Sequence, residues 1–270
     1  MRKIIILAGN GELPYLIVKS IKKRNFDYSI LTFEKNTISS KLKNVDSKKI
    51  NFGKIVTEIK KLKKQSFNEL IMVGGLSRPN ITDIRPDINS IKIVPSFIKK
   101  IIEGGDNNLL SFAIKKINEM GIKVLDVKNI LPDCFLKKGI HSQISPSKEC
   151  INNIQKGRKI LDTISKFDIG QSIIMQNGSI IGIETVQGTD SLLKQSKKFI
   201  NKNDDSILVK LCKKNQDLRV DLPTIGMKTL HNCNKINISG IAFSAGKTIF
   251  INKHEIIKYC NKNKLFLLGI

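Results

Sequence analysis

From Lys3 to Ala8 the chain reads Lys-Ile-Ile-Ile-Leu-Ala and stops at Gly9-Asn10-Gly11-Glu12. Successive side chains of a strand point to opposite faces, so an unbroken apolar run must be covered on both sides, as parallel strands of α/β folds are. Leu13, Leu16, Ile17, Ser20 and Ile21 then share one face at helical spacing, with Pro14 in the first turn, where its missing N–H costs nothing. The alternation continues with a strand around 28–33, a helix around 54–62, a strand at 70–73, helices around 96–102 and 108–120, and a strand at 123–127. Such β/α alternation predicts a parallel sheet with helices on both faces, a first domain over residues 1–130.

The periodicity lapses over residues 131–147, where Pro132, Gly139 and Pro146 punctuate a mixed stretch that reads as a linker. A second domain is expected over 148–270. It opens with a helix at 148–167, and Asn177-Gly178 between the apolar runs 172–176 and 179–185 is a strong hairpin signal. Further strands are expected at 207–211, 236–243, 248–251 and 265–268, with helices near 190–200, 226–233 and 253–262. The fold class is therefore α/β in two domains, the C-terminal one with a mixed sheet. A length of 270 residues suits two cores better than one.

Composition narrows the function classes. The 47 Lys and Arg against 23 Asp and Glu give a net charge of +24, which favours anionic ligands or surfaces. Much of that excess is also what an AT-rich coding sequence produces, because Lys, Ile and Asn are abundant throughout. Nucleic acid is not an expected partner, since 6% aromatics and no Trp supply no stacking platform. Five cysteines, never spaced Cys-x-x-Cys, suggest neither a disulfide framework nor a zinc knuckle and fit a reducing cytoplasm. The apolar start ends too early for a signal peptide, and no stretch approaches the roughly 20 apolar residues that span a bilayer. Membrane contact would then be peripheral.

Several segments carry chemistry. Gly9-Asn10-Gly11-Glu12-Leu13 joins a strand to a helix N-terminus, an arrangement that cradles phosphate or simply makes a tight turn. Gly74-Gly75-Leu76-Ser77-Arg78 stands at the carboxyl end of another predicted strand, where ligands bind in open α/β sheets and where Arg78 can clamp a phosphate. Asp106 follows Gly104-Gly105 as an expected N-cap. Carboxylates are scarce, so Asp168, Glu184, Asp190 and Asp221 at element ends are candidate Mg²⁺ ligands. In Arg219-Val220-Asp221-Leu222-Pro223 the charged pair shares a face if the segment is extended, which reads as a salt-bridged turn or as a catalytic pair. Ser244-Ala245-Gly246-Lys247-Thr248 lacks the earlier glycine of a phosphate-binding loop, and His141, His231 and His254 read as ordinary histidines.

Taken in order, residues 7–14, Ser77-Arg78-Pro79, Gly105-Asp106, Asp168-Ile169-Gly170-Gln171, Glu184 with Gly188-Thr189-Asp190, and residues 219–226 resemble the LpxI family of UDP-2,3-diacylglucosamine pyrophosphatases. The resemblance implies hydrolysis of a UDP-linked diacylated glucosamine lipid to UMP and 2,3-diacylglucosamine 1-phosphate (lipid X) with Mg²⁺ or a similar divalent ion. It implies a cytoplasmic enzyme of lipid A synthesis in a Gram-negative cell, peripheral to the inner membrane, and leaves a homodimer open. It makes Asp221 the catalytic residue, with Asp190 and Glu184 as further metal ligands. Substrate contacts fall to Gly9, Asn10, Gly11, Glu12, Leu13, Gly75, Ser77, Arg78, Gly105, Asp106, Gln171, Thr189 and Arg219. The first domain is then expected to be Rossmann-like and to hold UDP, and the second to supply catalysis and lipid binding. Asp221 would face the pyrophosphate across an interdomain cleft, and the acyl chains would lodge between the domains. Gln187 and Asn107 stand where carboxylates are expected, so neither is an obligatory metal ligand. A Rossmann-type oxidoreductase or sensor is the rival reading, resting on the glycine turn and on Glu34 as a ribose partner.

Overall fold

The apolar run at the N-terminus forms β1 (Lys3–Ala8), whose Ile4, Ile5, Ile6 and Ala8 are wholly buried. In the computed structural model, which describes residues 1–36, 39–42, 44–76, 79–103, 106–214 and 216–270, β1 is the centre of a five-stranded sheet. It is followed by α1 (Leu13–Lys23), β2 (Asp27–Phe33), β3 (Ser47–Ile50), α2 (Ile55–Lys64), β4 (Glu69–Val73), α3 (Val94–Glu103), α4 (Asp106–Glu119), β5 (Lys123–Val124) and α5 (Val127–Ile130). The strand order is β3-β2-β1-β4-β5, with every pairing parallel. The chain therefore winds outward from β1 in both directions, and the reversal between β1 and β4 opens a crevice at their carboxyl ends. The strand expected to run to Val127 stops at Val124, because the Asp126 carboxylate accepts the Lys128 N–H at 2.7 Å and caps α5 instead.

From Asp133 onward a second unit forms, with β6 (Gly139–Ile140), α6 (Lys148–Ile164), β7 (Ser172–Gln176), β8 (Ser179–Ile183), α7 (Thr189–Ser196), β9 (Ser206–Lys210), β10 (Thr224–Ile225), α8 (Met227–Lys235), β11 (Ile238–Phe243), β12 (Ile249–Phe250), α9 (Lys253–Lys262) and β13 (Phe266–Gly269). Its main sheet has the order β6-β13-β11-β9-β7-β8. The pairs β9/β11 and β11/β13 are parallel, and the β6, β7 and β8 pairings are antiparallel. Asn177 and Gly178 both take positive φ, 48° and 71°, so the β7–β8 hairpin closes on the primed turn that matches strand twist. Ser147 accepts the Cys150 N–H and starts α6.

The chain passes from one unit to the other at 132/133, 216/217 and 221/222. Asp217–Asp221 packs with Met1–Pro132, while Gln216 and Leu222 on either side belong to the second unit. Within the first unit Val220 lies against the core formed by Ile5, Leu7, Met72, Ile117 and their neighbours.

Candidate functional site

In the first unit the turns after β1 and β4 are bonded to each other. Gly9 N–H donates to Val73 O at 2.7 Å, Asn10 N–H to Gly75 O at 2.7 Å, and Gly75 N–H to Asn10 O at 3.0 Å. A Cβ on Gly9 would stand 2.4 Å from Gly75 O, and one on Gly74, where φ is +88°, 2.6 Å from Asn10 O. These two glycines are thus required by the approach of one turn to the other. The N–H groups of Gly9, Asn10 and Gly75, three of the predicted substrate contacts, donate to carbonyls. Gly11 has φ +98° with nothing within 4 Å of an added Cβ, and Glu12 leads into α1 while pairing with Lys41 at 2.7 Å. Leu13 is buried in the first turn of α1. Ser77, Arg78 and Gly105 lie outside the described residues, as does the Asp106 side chain.

Beneath these turns the first unit holds a cavity of about 330 Å³ whose lining includes Phe33, Phe52, Met72, Phe97, Phe112 and Asp221. The rings form a continuous series: Phe33 stacks on Phe52 with centroids 3.5 Å apart, Phe52 lies 6.4 Å from Phe97, and Phe97 lies 6.5 Å from Phe112. Gly74, Gly75 and Leu76 complete one wall, and Asp221 is the single carboxylate among the described lining residues.

Asp221 reaches this cavity on one helical turn, its N–H and that of Val220 both donating to Asp217 O at 3.1 and 3.2 Å. The segment is thus a turn rather than extended, and Arg219 and Asp221 do not share a face. Arg219 instead forms a fork with Asp217, Nε to Oδ1 at 2.9 Å and Nη2 to Oδ2 at 2.6 Å. The hydrogen bond from the Arg219 guanidinium holds the Asp217 carboxyl below its ordinary range, and the same bond raises Arg219. Asn107 Oδ1 accepts the Asp217 N–H at 3.3 Å, a task for which an amide oxygen serves as well as a carboxylate. Asp217, the base of the turn, escaped the sequence reading; its only local signal is the Asp-x-Arg spacing.

In the second unit Lys210, 3% exposed, is the centre of a polar cluster at the carboxyl end of β9. Its Nζ donates to Thr189 Oγ1 at 2.6 Å and Ser172 Oγ at 3.2 Å, and stands 3.7 Å from Glu184. Asp190 accepts from Thr229 Oγ1 at 3.1 Å and pairs with Lys228 at 3.1 Å. Gln171 contributes a buried side-chain oxygen with no hydrogen-bond partner among the described residues. Asp168, with φ +56°, pairs with Lys213 at 2.6 Å. The strand-end lysine is indistinguishable by sequence from its many exposed counterparts.

The comparisons follow the same division. The model of the LpxI N-terminal domain matches residues 3–134 and that of the LpxI C-terminal domain matches residues 137–268. The chain belongs to the LpxI family. A curated relative, the UDP-2,3-diacylglucosamine pyrophosphatase LpxI of Caulobacter vibrioides, is 25% identical over 276 residues, covering 100% of this chain and 98% of the relative.

Of the three carboxylates read as metal ligands in this LpxI chain, Glu184 and Asp190 each face an ammonium, and Asp221 lines the cavity of the first unit. A cation on Glu184 would stand beside Lys210 Nζ, where like charges repel. Among the described residues no three His, Cys, Asp or Glu side chains converge on a metal position. Gln187 is also accounted for without a metal. Its Oε1 accepts from Thr185 N–H at 3.0 Å and from the Thr185 hydroxyl, and its Nε2 donates to Ile183 O at 3.4 Å, tying the loop ahead of α7 as no carboxylate could.

Proposed function

We propose that the protein hydrolyses the pyrophosphate of UDP-2,3-diacylglucosamine to UMP and 2,3-diacylglucosamine 1-phosphate in lipid A synthesis, in the cytoplasm at the inner-membrane surface. The observation that carries this reading is the largely apolar, aromatic-lined cavity to which Asp221 contributes a carboxylate, set under the β1/β4 crevice. Such a site suits a ligand with an acyl chain and a charged head, and crevices of this kind take nucleotides. The acyl chain lodges in the first unit, the nucleotide lies above the turns at Gly9–Gly11 and Gly74–Leu76, and Asp221 stands at the junction of the two.

Asp221 accepts the proton of a water as the water oxygen bonds to one phosphorus and the bridging P–O bond breaks, the proton passing on to the phosphate products. The substrate pyrophosphate has its own affinity for Mg²⁺, which neutralises charge on the phosphate oxygens when bound. Asp221 is the residue of the cavity that would hold it. The fork between Asp217 and Arg219 fixes the turn that presents Asp221.

The test is incubation of purified protein with UDP-2,3-diacylglucosamine and Mg²⁺, with and without EDTA, following UMP and lipid X. Release of both, abolished by EDTA, is expected. Asp221→Ala is expected to lower kcat by about 10²- to 10⁴-fold, the usual contribution of a positioned acid or base, while substrate binding persists. Normal turnover by that variant would refute the assignment.

A further inference from the structure

We propose that residues 88–102, with α3 as their main element, are the surface by which the protein seats on an anionic lipid bilayer and through which an acyl chain reaches the cavity behind. The proposal rests on the lipid-substrate reading above for the acyl chain, but not for the seating itself. The turn ahead of α3 already follows helical bonding, with Ile91 N–H to Asp87 O at 2.9 Å, Val94 N–H to Ser90 O at 3.0 Å and Phe97 N–H to Ile93 O at 3.0 Å. Residues at intervals of four, three and four therefore share one face.

That face is Ile91, Pro95, Ile98 and Ile102, with Ile91 58% and Ile102 71% exposed; Ile88, 91% exposed, precedes it. The opposite face supplies Ile93, Val94 and Phe97 to the cavity lining. One short segment is thus apolar toward solvent and apolar toward an internal cavity, and a soluble surface has no use for the first of these. Lys92 and Lys99 fall beside the outer stripe, and residues 88–102 contain Lys92, Lys99 and Lys100, with Asp87 and Glu103 the acidic residues at the two ends. Lys60 of α2 joins them, donating to Asn89 Oδ1 at 3.2 Å.

An exposed apolar stripe flanked by lysines is the pattern of a helix that lies in a bilayer interface, its apolar side among acyl chains and its cations among anionic headgroups. A second copy of the chain fits less well, because a two-fold contact through this stripe would set lysines against lysines. Among the described residues no helix is long and apolar enough to cross a membrane, so this seat is interfacial. An acyl chain leaving the bilayer beneath α3 enters the cavity without crossing water.

The experiment is cosedimentation of the full chain with vesicles of phosphatidylcholine alone and with added phosphatidylglycerol, for the wild type, Ile91→Asp/Ile102→Asp and Lys92→Gln/Lys99→Gln. Melting curves monitor folding, and neither Ile91 nor Ile102 lines the cavity. The expected results are binding of the wild type to the anionic vesicles only, a loss of at least tenfold for the isoleucine variant, and weaker, less salt-sensitive binding for the lysine variant. Turnover of detergent-dispersed UDP-2,3-diacylglucosamine by the isoleucine variant should stay at the wild-type level while turnover of vesicle-embedded substrate falls at least tenfold. Equal vesicle binding by the isoleucine variant and the wild type overturns the proposal. So does a change in that variant confined to self-association. Absence of turnover in every form, together with binding that depends on Ile91 and Ile102, overturns the hydrolase reading and leaves the membrane seat standing.

Discussion

Arg219 and Asp221 share a face only on an extended backbone, and the turn they occupy gives Arg219 a different partner, Asp217. Because the Asp217 carboxyl titrates below its ordinary range in the folded chain, its contribution to stability is complete above the unfolded value near pH 4 (roughly 3.9) and is lost as pH falls through the depressed one. Asp217→Asn is therefore expected to show a smaller drop in melting temperature between neutral pH and about pH 3 than the wild type, measured by circular dichroism. Lys210 is the second residue at which context rules. With side chains 4% and 10% exposed, Lys210 and Glu184 form a pair whose rupture leaves one buried charge uncompensated. Lys210→Met is expected to destabilise by about 3–5 kcal/mol, whereas Lys210→Met/Glu184→Gln recovers most of it. Denaturant unfolding of the three proteins checks this, and additive losses in the double variant would refute the pairing.

At the scale of elements, pattern and structure agree wherever the pattern is long. β1, β4, α1 and the β7–β8 hairpin stand where their periodicity and turn residues put them. The two-residue strands β6 and β10 carry no legible period, and β3 buries only Ile50 of its four residues while Lys48 and Lys49 face solvent. The cavity is likewise a property of elements assembled, since Phe33 comes from β2, Phe52 from the turn before α2, Phe97 from α3 and Phe112 from α4. Ala113 of α4 lines it as well. Ala113→Phe is expected to fill part of the space at a cost of about 1–3 kcal/mol, and to lower kcat/KM for long-chain substrate at least tenfold more than for a short-chain analogue. Equal loss for both would separate the cavity from acyl-chain binding.

On the scale of the whole molecule, sequence order and spatial membership part company at Asp217–Asp221, which lies among second-unit residues in the chain and packs into the first unit. The sequence determined the α/β class, the strand buried on both faces, the hairpin turn and the ordered motifs that mark the LpxI family, because each depends on residues within a few positions of one another. It also singled out Asp221, through the scarcity of carboxylates and the family pattern. Tertiary structure decided that Asp221 faces an apolar cavity of the first unit, that Gly9 and Gly74 serve each other's turns, and that one lysine among 47 basic residues is buried with Thr189 and Glu184. Those outcomes depend on which side chains packing brings together across more than 20 positions of chain, and no local periodicity encodes that.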